Sequence, residues 1–231
     1  MSEPIIELQN LRFAWPKQDH DLLYIPELVI EKGKHLFIQG ASGSGKTTLL
    51  NLLTGINVAN SGSIKVLDTP LETLSTRQRD QFRADHLGVI FQQFNLLPYL
   101  SLLENVQLPC WFSARKKQNA DHIQETSLRL LEELNIPMTL VHKPIAELSV
   151  GQQQRVAVAR ALIGNPEVVI ADEPTSALDT KNRNRFLELL FQEATQQGST
   201  LVFASHDPYI ASQFERVIDL VEINQAGSNS L

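Results

Sequence analysis

Short apolar runs divide this chain into predicted strands. Residues 5–11 alternate apolar and polar side chains, which is the period of a half-buried strand. Residues 28–30 precede an EKGK turn, and that turn leads into the apolar run at 36–39. Later runs rich in β-branched residues are typical of buried strands, namely residues 88–91, 168–171 and 200–204. The pattern predicts a strand-rich start followed by the strands of a mixed or parallel sheet.

The pattern becomes helical between residues 94 and 149. Apolar residues recur there near helical spacing with acidic residues between them, at Ile123, Leu128, Leu131 and Leu134. Other helical patterns lie between the predicted strands. We therefore expect an α/β fold in which residues 1–231 form one domain. In it, an N-terminal antiparallel β subdomain and the sheet core occupy 1–93 and 150–231, and an inserted α-helical subdomain occupies 94–149.

The string GASGSGKT at residues 40–47 fits the phosphate-loop pattern G-x-x-x-x-G-K-[ST]. A short apolar strand precedes it, and residues 48–53 have the pattern of a helix. A strand that turns through glycines into a helix directs several backbone N–H groups at one point, where phosphate can bind. The predicted nucleoside triphosphate site comprises Gly40, Ala41, Ser42, Gly43, Ser44, Gly45, Lys46, Thr47 and Thr48.

Two side chains of this phosphate loop have specific expected roles. The Lys46 ammonium is expected to reach the β and γ phosphates of ATP, and the Thr47 hydroxyl to be one oxygen ligand of Mg²⁺. The alternative is a Gly/Ser turn with a surface lysine. That alternative leaves the flanking strand and helix unexplained.

Composition restricts the classes of function. The chain has 231 residues, of which 42% are hydrophobic, so it can bury a sizeable core. Its formal charge of −6 argues against a general nucleic-acid surface, and the short basic run at 115–117 is interpreted as a solvated loop. The single Cys110 fits a reducing cytosol, and the absence of an apolar run of 18 or more residues indicates no membrane span.

A second string, LSVGQQQR at residues 148–155, puts a small hydroxyl and a glycine before a predicted helix at 152–161. With the phosphate loop upstream and VVIADEP at 168–174, the chain resembles the nucleotide-binding subunits of ATP-binding-cassette (ABC) transporters, whose signature motif is usually LSGGQ. The resemblance covers nearly the whole chain. Residues 91–109 are most similar to the lipoprotein-release, macrolide-export and cell-division cassette ATPases.

The resemblance implies a P-loop NTPase (RecA-like) core and two subunits stacked head to tail. Each ATP then lies between the phosphate loop of one subunit and the signature motif of the other, contacted by Ser149, Gln152 and the backbone N–H of Gly151. Val150 stands where the motif normally has its first glycine. Because a β-branched residue disfavours positive φ and narrows the approach of the backbone, we expect lowered turnover with the site still active.

Two carboxylates follow the predicted strand at 168–171. In open α/β sheets, ligands bind at the carboxyl ends of the strands, where Asp172 and Glu173 are expected to lie. Asp172 is predicted to hold Mg²⁺ through a water, and Glu173 to polarise the water that attacks the γ-phosphorus. An acidic loop before Pro174 is the structural alternative.

Four further residues match the family pattern. Gln92 resembles the glutamine that reaches the metal and the attacking water, and the alternative is that Gln92 is a turn residue without a functional role. His206 resembles the histidine that contacts the γ-phosphate, and a structural histidine is the rival. Asp179 would order the dimer interface, which is compatible with a helix N-cap. Trp15 occupies the position of the aromatic that stacks on adenine, with core packing as the alternative.

The favoured function is an ATPase subunit, cytoplasmic and peripheral on the inner membrane, that powers a transporter carried on a separate polypeptide. Residues 94–111 are expected to include the surface that receives a short helix of that integral membrane partner. The ATPase is expected to pair with itself or with a related ATPase subunit, and not with nucleic acid. A regulatory cell-division ATPase that moves a membrane partner without solute transport is the alternative. A soluble cassette ATPase of DNA repair or translation and a nucleotide kinase fit less well.

Overall fold

The computed structural model describes residues 3–175, 178 and 180–226, apart from the side chain of Lys181. The strands in this part are β1 Pro4–Phe13, β2 Leu23–Glu31, β3 Leu36–Gln39, β4 Ser61–Val66, β5 Thr69–Pro70, β6 Leu87–Ile90, β7 Val168–Asp172, β8 Thr200–Ser205 and β9 Arg216–Asp219. The helices are α1 Lys46–Leu53, α2 Thr76–His86, α3 Leu102–Phe112, α4 Ala114–Asn119, α5 Ile123–Glu133, α6 Val150–Leu162, α7 Thr180–Gln196, α8 Pro208–Ala211 and α9 Leu220–Ile223. The chain divides into two compact units, Met1–Asp80 with Val202–Leu231, and Gln81–Leu201.

The first unit contains the antiparallel sheet, in the order β2-β1-β4-β5. Strand β1 changes its alternation midway, because Leu8 and Leu11 are both buried although three positions separate them. A register shift between Gln9 and Arg12, with Asn10 at φ 48°, supplies the extra residue of a β-bulge. Gly62 is required opposite the bulge, since a Cβ there would lie 2.3 Å from the carbonyl oxygen of Asn10.

The first unit also contains parallel strands. Strand β3 pairs with β8 through its residues 202–205 on one side and with β9 on the other. Three aromatic rings of this unit pack together, with centroid distances of 5.3 to 5.9 Å, at Phe37, Phe203 and Phe214. The register sets Gln39 level with Ser205 and with Asp219, so the chain leaves all three strands at one edge.

The second unit combines a parallel pair with most of the helices. Strands β6 and β7 run parallel, with Ile90 level with Ala171. Helix α6 contacts β6 and the helices α3, α5 and α7. Its buried positions include every residue from Val156 to Leu162, so this helix is the centre of the unit.

Most predicted elements are confirmed. The predicted strands all form, and so do the antiparallel β sheet and the parallel strands of the α/β fold. Helix α1 begins at Lys46, two residues earlier than predicted, and α6 begins at Val150. The subdomain boundaries at 94 and 149 stay predictions. Among the residues described, no helix combines the length and the apolar character that crossing a membrane requires.

Candidate functional site

The phosphate loop joins β3 to α1 in the first unit. Gly43 and Gly45 have φ values of 79° and 100°, in the left-handed region that favours glycine. Gly45 is the N-cap of α1, so the first turn of the helix begins at Lys46, directly after the loop. A glycine loop that runs directly into a helix N-terminus is the arrangement that binds phosphate.

The side chains of this loop fit a triphosphate. Lys46 is 6% exposed, and its Nζ donates to the carbonyl oxygens of Gly40 at 2.7 Å and Ala41 at 3.1 Å. The buried Oγ of Ser44 has no hydrogen-bond partner among the described residues, which leaves a donor for a phosphate oxygen. A Cβ on Gly40 would lie 2.6 Å from that Oγ, so the loop closes this tightly only with glycine there. Thr47 is exposed.

His206 and Trp15 also lie in the first unit. His206 follows directly after Ser205, so it leaves the sheet at the same edge as the phosphate loop, and it is exposed. Trp15 is 42% exposed, with its ring edge-to-face with that of Phe13 at a centroid distance of 5.1 Å. An indole exposed to this extent is not a core residue. Core packing therefore does not explain Trp15, and a face of its ring can stack on a base.

Asp172, Glu173 and Gln92 are brought together in the second unit. Because Ile90 is level with Ala171, the chain leaves β6 towards Gln92 and β7 towards Glu173 at one edge. Glu173 has φ 44°, a left-handed conformation that is uncommon outside glycine, asparagine and aspartate. Backbone strain of this kind occurs where the surroundings hold a functional side chain in place. Gln92 is an exposed turn residue. This position is compatible both with a functional glutamine and with a turn residue that has no functional role.

The signature motif, residues 148–155, forms the start of α6. Ser149 is the N-cap, its Oγ accepts from the N–H of Gln152 at 3.3 Å, and the Gln152 side chain accepts from the N–H of Ser149 at 2.9 Å. Ser149 keeps its own hydroxyl proton for an acceptor outside the helix. Val150 is the first helical residue and Gly151 the second, so Gly151 lies inside the helix and not before it.

One expectation about Val150 is wrong. Its φ is helical and not positive, so valine has no conformational penalty at this position. Its side chain is 50% exposed at the helix N-terminus. Any effect of Val150 on turnover therefore comes from the bulk of the side chain. Asp179, with its neighbours Ser176 and Ala177, lies outside the described residues.

Sequence reasoning missed Gln154 and Arg160, which lie further along α6. Gln154 is 1% exposed, and its Nε2 donates to the carbonyl oxygen of Pro174 at 2.5 Å, one residue after Glu173. Arg160 is buried and bonds the loop after Gln92. The available signal was that both are long polar side chains on a helix otherwise rich in buried apolar residues.

A glycine phosphate loop between a parallel strand and a helix defines the class as a P-loop nucleoside triphosphate-binding protein. The family model for ABC transporters matches residues 25–176, and one for an AAA domain matches residues 143–212. The chain is 37% identical over 222 residues to the uncharacterized ABC transporter ATP-binding protein YbbA of Escherichia coli strain K12, a match that covers 95% of this chain and 96% of YbbA.

Two further comparisons also match this chain to ATP-binding cassette proteins. The chain is 39% identical to the macrolide export ATP-binding/permease protein MacB of Pasteurella multocida, over 95% of this chain but 33% of MacB. Among solved structures, the dimeric post-hydrolysis state of the ATP-binding cassette MJ0796 bound to ADP and Pi superposes with a TM-score of 0.82 at 34% identity, over 93% of each chain. The chain belongs to the ABC transporter family. It is an ATP-binding cassette with ATPase activity that powers a membrane transporter.

Proposed function

We propose that this ATPase works as a subunit on the cytoplasmic face of the membrane, where it drives a transporter whose membrane-spanning part is another polypeptide. The observation that carries this proposal is a glycine phosphate loop in the same chain as a capped signature helix. The relative YbbA supports a separate polypeptide, because the match spans nearly all of an ATP-binding protein. MacB, by contrast, is named as an ATP-binding and permease protein in one polypeptide, and the match to this chain covers 33% of MacB.

Each site residue has a role towards Mg·ATP in this proposal. Lys46 and the N–H groups at the start of α1 hold the β and γ phosphates, Trp15 stacks on adenine, and His206 contacts the γ-phosphate. Thr47, Asp172 and Gln92 offer the hydroxyl, carboxylate and amide oxygens that Mg²⁺ prefers. When bound, the ion neutralises charge on the β and γ phosphates.

Glu173 is the proposed general base. Its carboxylate accepts a proton from the attacking water, and its position is restrained by its left-handed backbone and by the Gln154 bond to the next residue, Pro174. A base held in this way loses little entropy when the reaction begins. Ser149 and the N–H of Gly151 donate to the γ-phosphate of a nucleotide held by a second subunit, so activity requires a pair.

The membrane partner is proposed to dock beside Tyr99 on the loop before α3. Tyr99 is 78% exposed, whereas Leu102 and Leu103 are buried and belong to the core. Buried Asn105 fixes this loop, because its Oδ1 accepts from the N–H of Leu97 at 2.8 Å and its Nδ2 donates to the Leu97 carbonyl at 3.0 Å. A large ring presented on an anchored loop is typical of a contact surface.

The proposal is tested with Glu173→Gln. The amide cannot accept the proton, so we expect ATP binding to persist, hydrolysis to fall by about 10² or more, and a Mg·ATP-dependent dimer to accumulate in analytical ultracentrifugation. The matched control is Lys46→Ala with Glu173→Gln, which should stay monomeric because it lacks the phosphate contact. Rapid hydrolysis by Glu173→Gln, or monomers alone at saturating Mg·ATP, would contradict the proposal.

A further inference from the structure

Arg160 is a buried cation in the last turn of α6. Its side chain is 8% exposed, and burial alone lowers the pKa of the guanidinium to about 10, with no carboxylate of the described residues to offset it. A charge buried without a carboxylate is costly unless its N–H groups are bonded to other acceptors. The guanidinium of Arg160 is therefore stabilised in the interior by its hydrogen bonds to uncharged acceptors.

Those bonds go to two consecutive carbonyl groups. Nη1 donates to the carbonyl oxygen of Asn95 at 2.7 Å, and Nη2 donates to that of Phe94. The planar fork of arginine suits such a pair of acceptors, and a lysine ammonium cannot reproduce its geometry. One side chain thus fixes the direction of two successive peptide groups.

Both residues held by Arg160 have left-handed backbone conformations, which asparagine tolerates but phenylalanine does not. Phe94 has φ 58° and Asn95 has φ 48°, and positive φ is strained for a bulky residue such as phenylalanine. The N–H of Phe94 donates to the carbonyl of Phe91 at 2.9 Å, which closes a tight turn around Gln92. The conformation of this turn depends on the contacts that hold its C-terminal end at Phe94 and Asn95. Arg160 supplies two of these contacts, its hydrogen bonds to the two carbonyl oxygens.

Helix α6 connects this turn to the other functional elements of the unit. The signature motif begins at its N-terminus, Gln154 bonds the residue after Glu173, and Arg160 bonds the turn of Gln92. At 1.5 Å per residue, Ser149 and Arg160 lie about 16 Å apart along one rigid helix. A displacement of the signature motif is therefore passed to the Gln92 turn by the same rigid body.

We propose that Arg160 is a positioning residue that sets the Gln92 turn for hydrolysis and couples it to the signature motif. The inference rests on the proposed role of Gln92 at the metal and the attacking water. Arg160 acts through the Phe94 and Asn95 carbonyls, which orient the peptide groups that follow Gln92.

The test is a double-mutant cycle of Arg160→Lys and Gln92→Ala, measured as kcat and KM for ATP. Lysine keeps the charge but loses the fork, so we expect kcat to fall about tenfold with KM changed by less than about twofold. Gln92→Ala should also lower kcat by about tenfold or more. The double variant should be no slower than Gln92→Ala alone, because a misplaced turn has no further effect once its glutamine is gone.

A matched control separates positioning from stability. Lys116 is 2% exposed, and its Nζ donates to the carbonyl oxygen of Leu87 at 2.6 Å, at the opposite end of β6 from Gln92. Lys116→Met removes a buried cation that bonds a carbonyl in the same unit. We expect it to lower the melting temperature as much as Arg160→Lys does, while kcat stays within about twofold of wild type.

The outcomes are distinguishable. An unchanged kcat in Arg160→Lys, or independent effects that multiply in the double variant, overturns the positioning role. An equal loss of kcat in Lys116→Met also overturns it, since the effect would then be general destabilisation. A Gln92→Ala variant with wild-type kcat refutes the proposed role of Gln92 instead, and this result is visible before any Arg160 variant is compared.

Discussion

The side-chain oxygen of Asn224 accepts a hydrogen bond from the backbone N–H of Tyr24 at 2.8 Å, although the two residues are 200 positions apart. The Nδ2 of Asn224 donates to the carbonyl of Leu22 at 3.0 Å, so one amide side chain pairs with the edge of β2 as a neighbouring strand would. Leu23, which lies between them, packs beneath the phosphate loop, because its Cδ2 is 3.0 Å from the position that a Cβ on Gly45 would take.

Asn224→Ala is therefore expected to destabilise the first unit and weaken nucleotide binding. The variant loses both partly buried hydrogen bonds to β2 and a third, in which Asn224 Oδ1 accepts from the N–H of Ala226. This loss should lower the free energy of unfolding by about 1–3 kcal/mol, and a looser Leu23 should raise the Kd for ATP. Thermal melting and nucleotide titration measure the two effects. Arg216→Ala is the control, because it removes a bond to Val29 at the far end of the same strand edge. An equal rise of Kd in both variants would contradict the specific link to Gly45.

Val150→Ala should raise the ATPase rate. The residue is helical and half-exposed, so in the proposed two-subunit site only the bulk of its side chain can hinder the nucleotide of the second subunit. We expect a gain below tenfold, which corresponds to less than about 1.4 kcal/mol in activation free energy. Val150→Gly should have the same effect on kcat with a further loss of helix stability of up to about 1 kcal/mol. If glycine accelerates hydrolysis and alanine does not, backbone conformation is the cause after all.

Tyr99→Asp should prevent recruitment to the membrane partner. A charge on this exposed ring position opposes burial in an interface, whereas the fold is undisturbed because the side chain makes little contact with the core. Pull-down from detergent-solubilised membranes measures the effect, with the ATPase rate of the isolated protein as the folding check. Met138→Asp, at a position that is 43% exposed, is the matched control and should keep the partner bound. Recruitment that survives Tyr99→Asp places the docking surface elsewhere.

Stability should depend on pH through Glu193 in α7. This carboxyl is 1% exposed, and burial together with the nearby Glu133 carboxylate raises its pKa from 4.5 to about 7, against a smaller lowering by Arg129. A raised pKa means that the folded protein keeps a proton that the unfolded chain has lost. Stability is therefore greatest below about pH 4.5 on account of this group and falls as pH rises to about 7.

Glu193→Gln tests this dependence. We expect the variant to be more stable than wild type at pH 8, by about 1–3 kcal/mol, and to differ little at pH 4.5. Melting temperatures at the two pH values measure the difference. Glu188→Gln, on an exposed position of the same helix, should shift stability by less than about 0.5 kcal/mol at both. A gain for Glu193→Gln that is independent of pH would rule out its titration as the cause.

Local patterns were sufficient for much of the fold and the site. A few consecutive residues were enough to predict the phosphate loop, the strand before it and the carboxylates after residue 171. Backbone conformation and phosphate chemistry impose short-range requirements on residue type, and these requirements are visible in the local sequence. Leu36–Gln39 was predicted with its observed bounds for this reason. The β-bulge at Asn10 could not be predicted from the local sequence, because it depends on Gly62 in another strand.

By itself, the sequence determined the class of chemistry: a triphosphate loop, two carboxylates, a signature motif and the family to which they belong. Only the tertiary structure decided which groups support them. The bonds of Arg160 to the Gln92 turn, Gln154 to Pro174 and Asn224 to Tyr24 each join residues 20 to 200 positions apart. Such pairs leave no periodic trace along the chain, because they depend on where separate elements pack in space and not on the conformation of either segment alone.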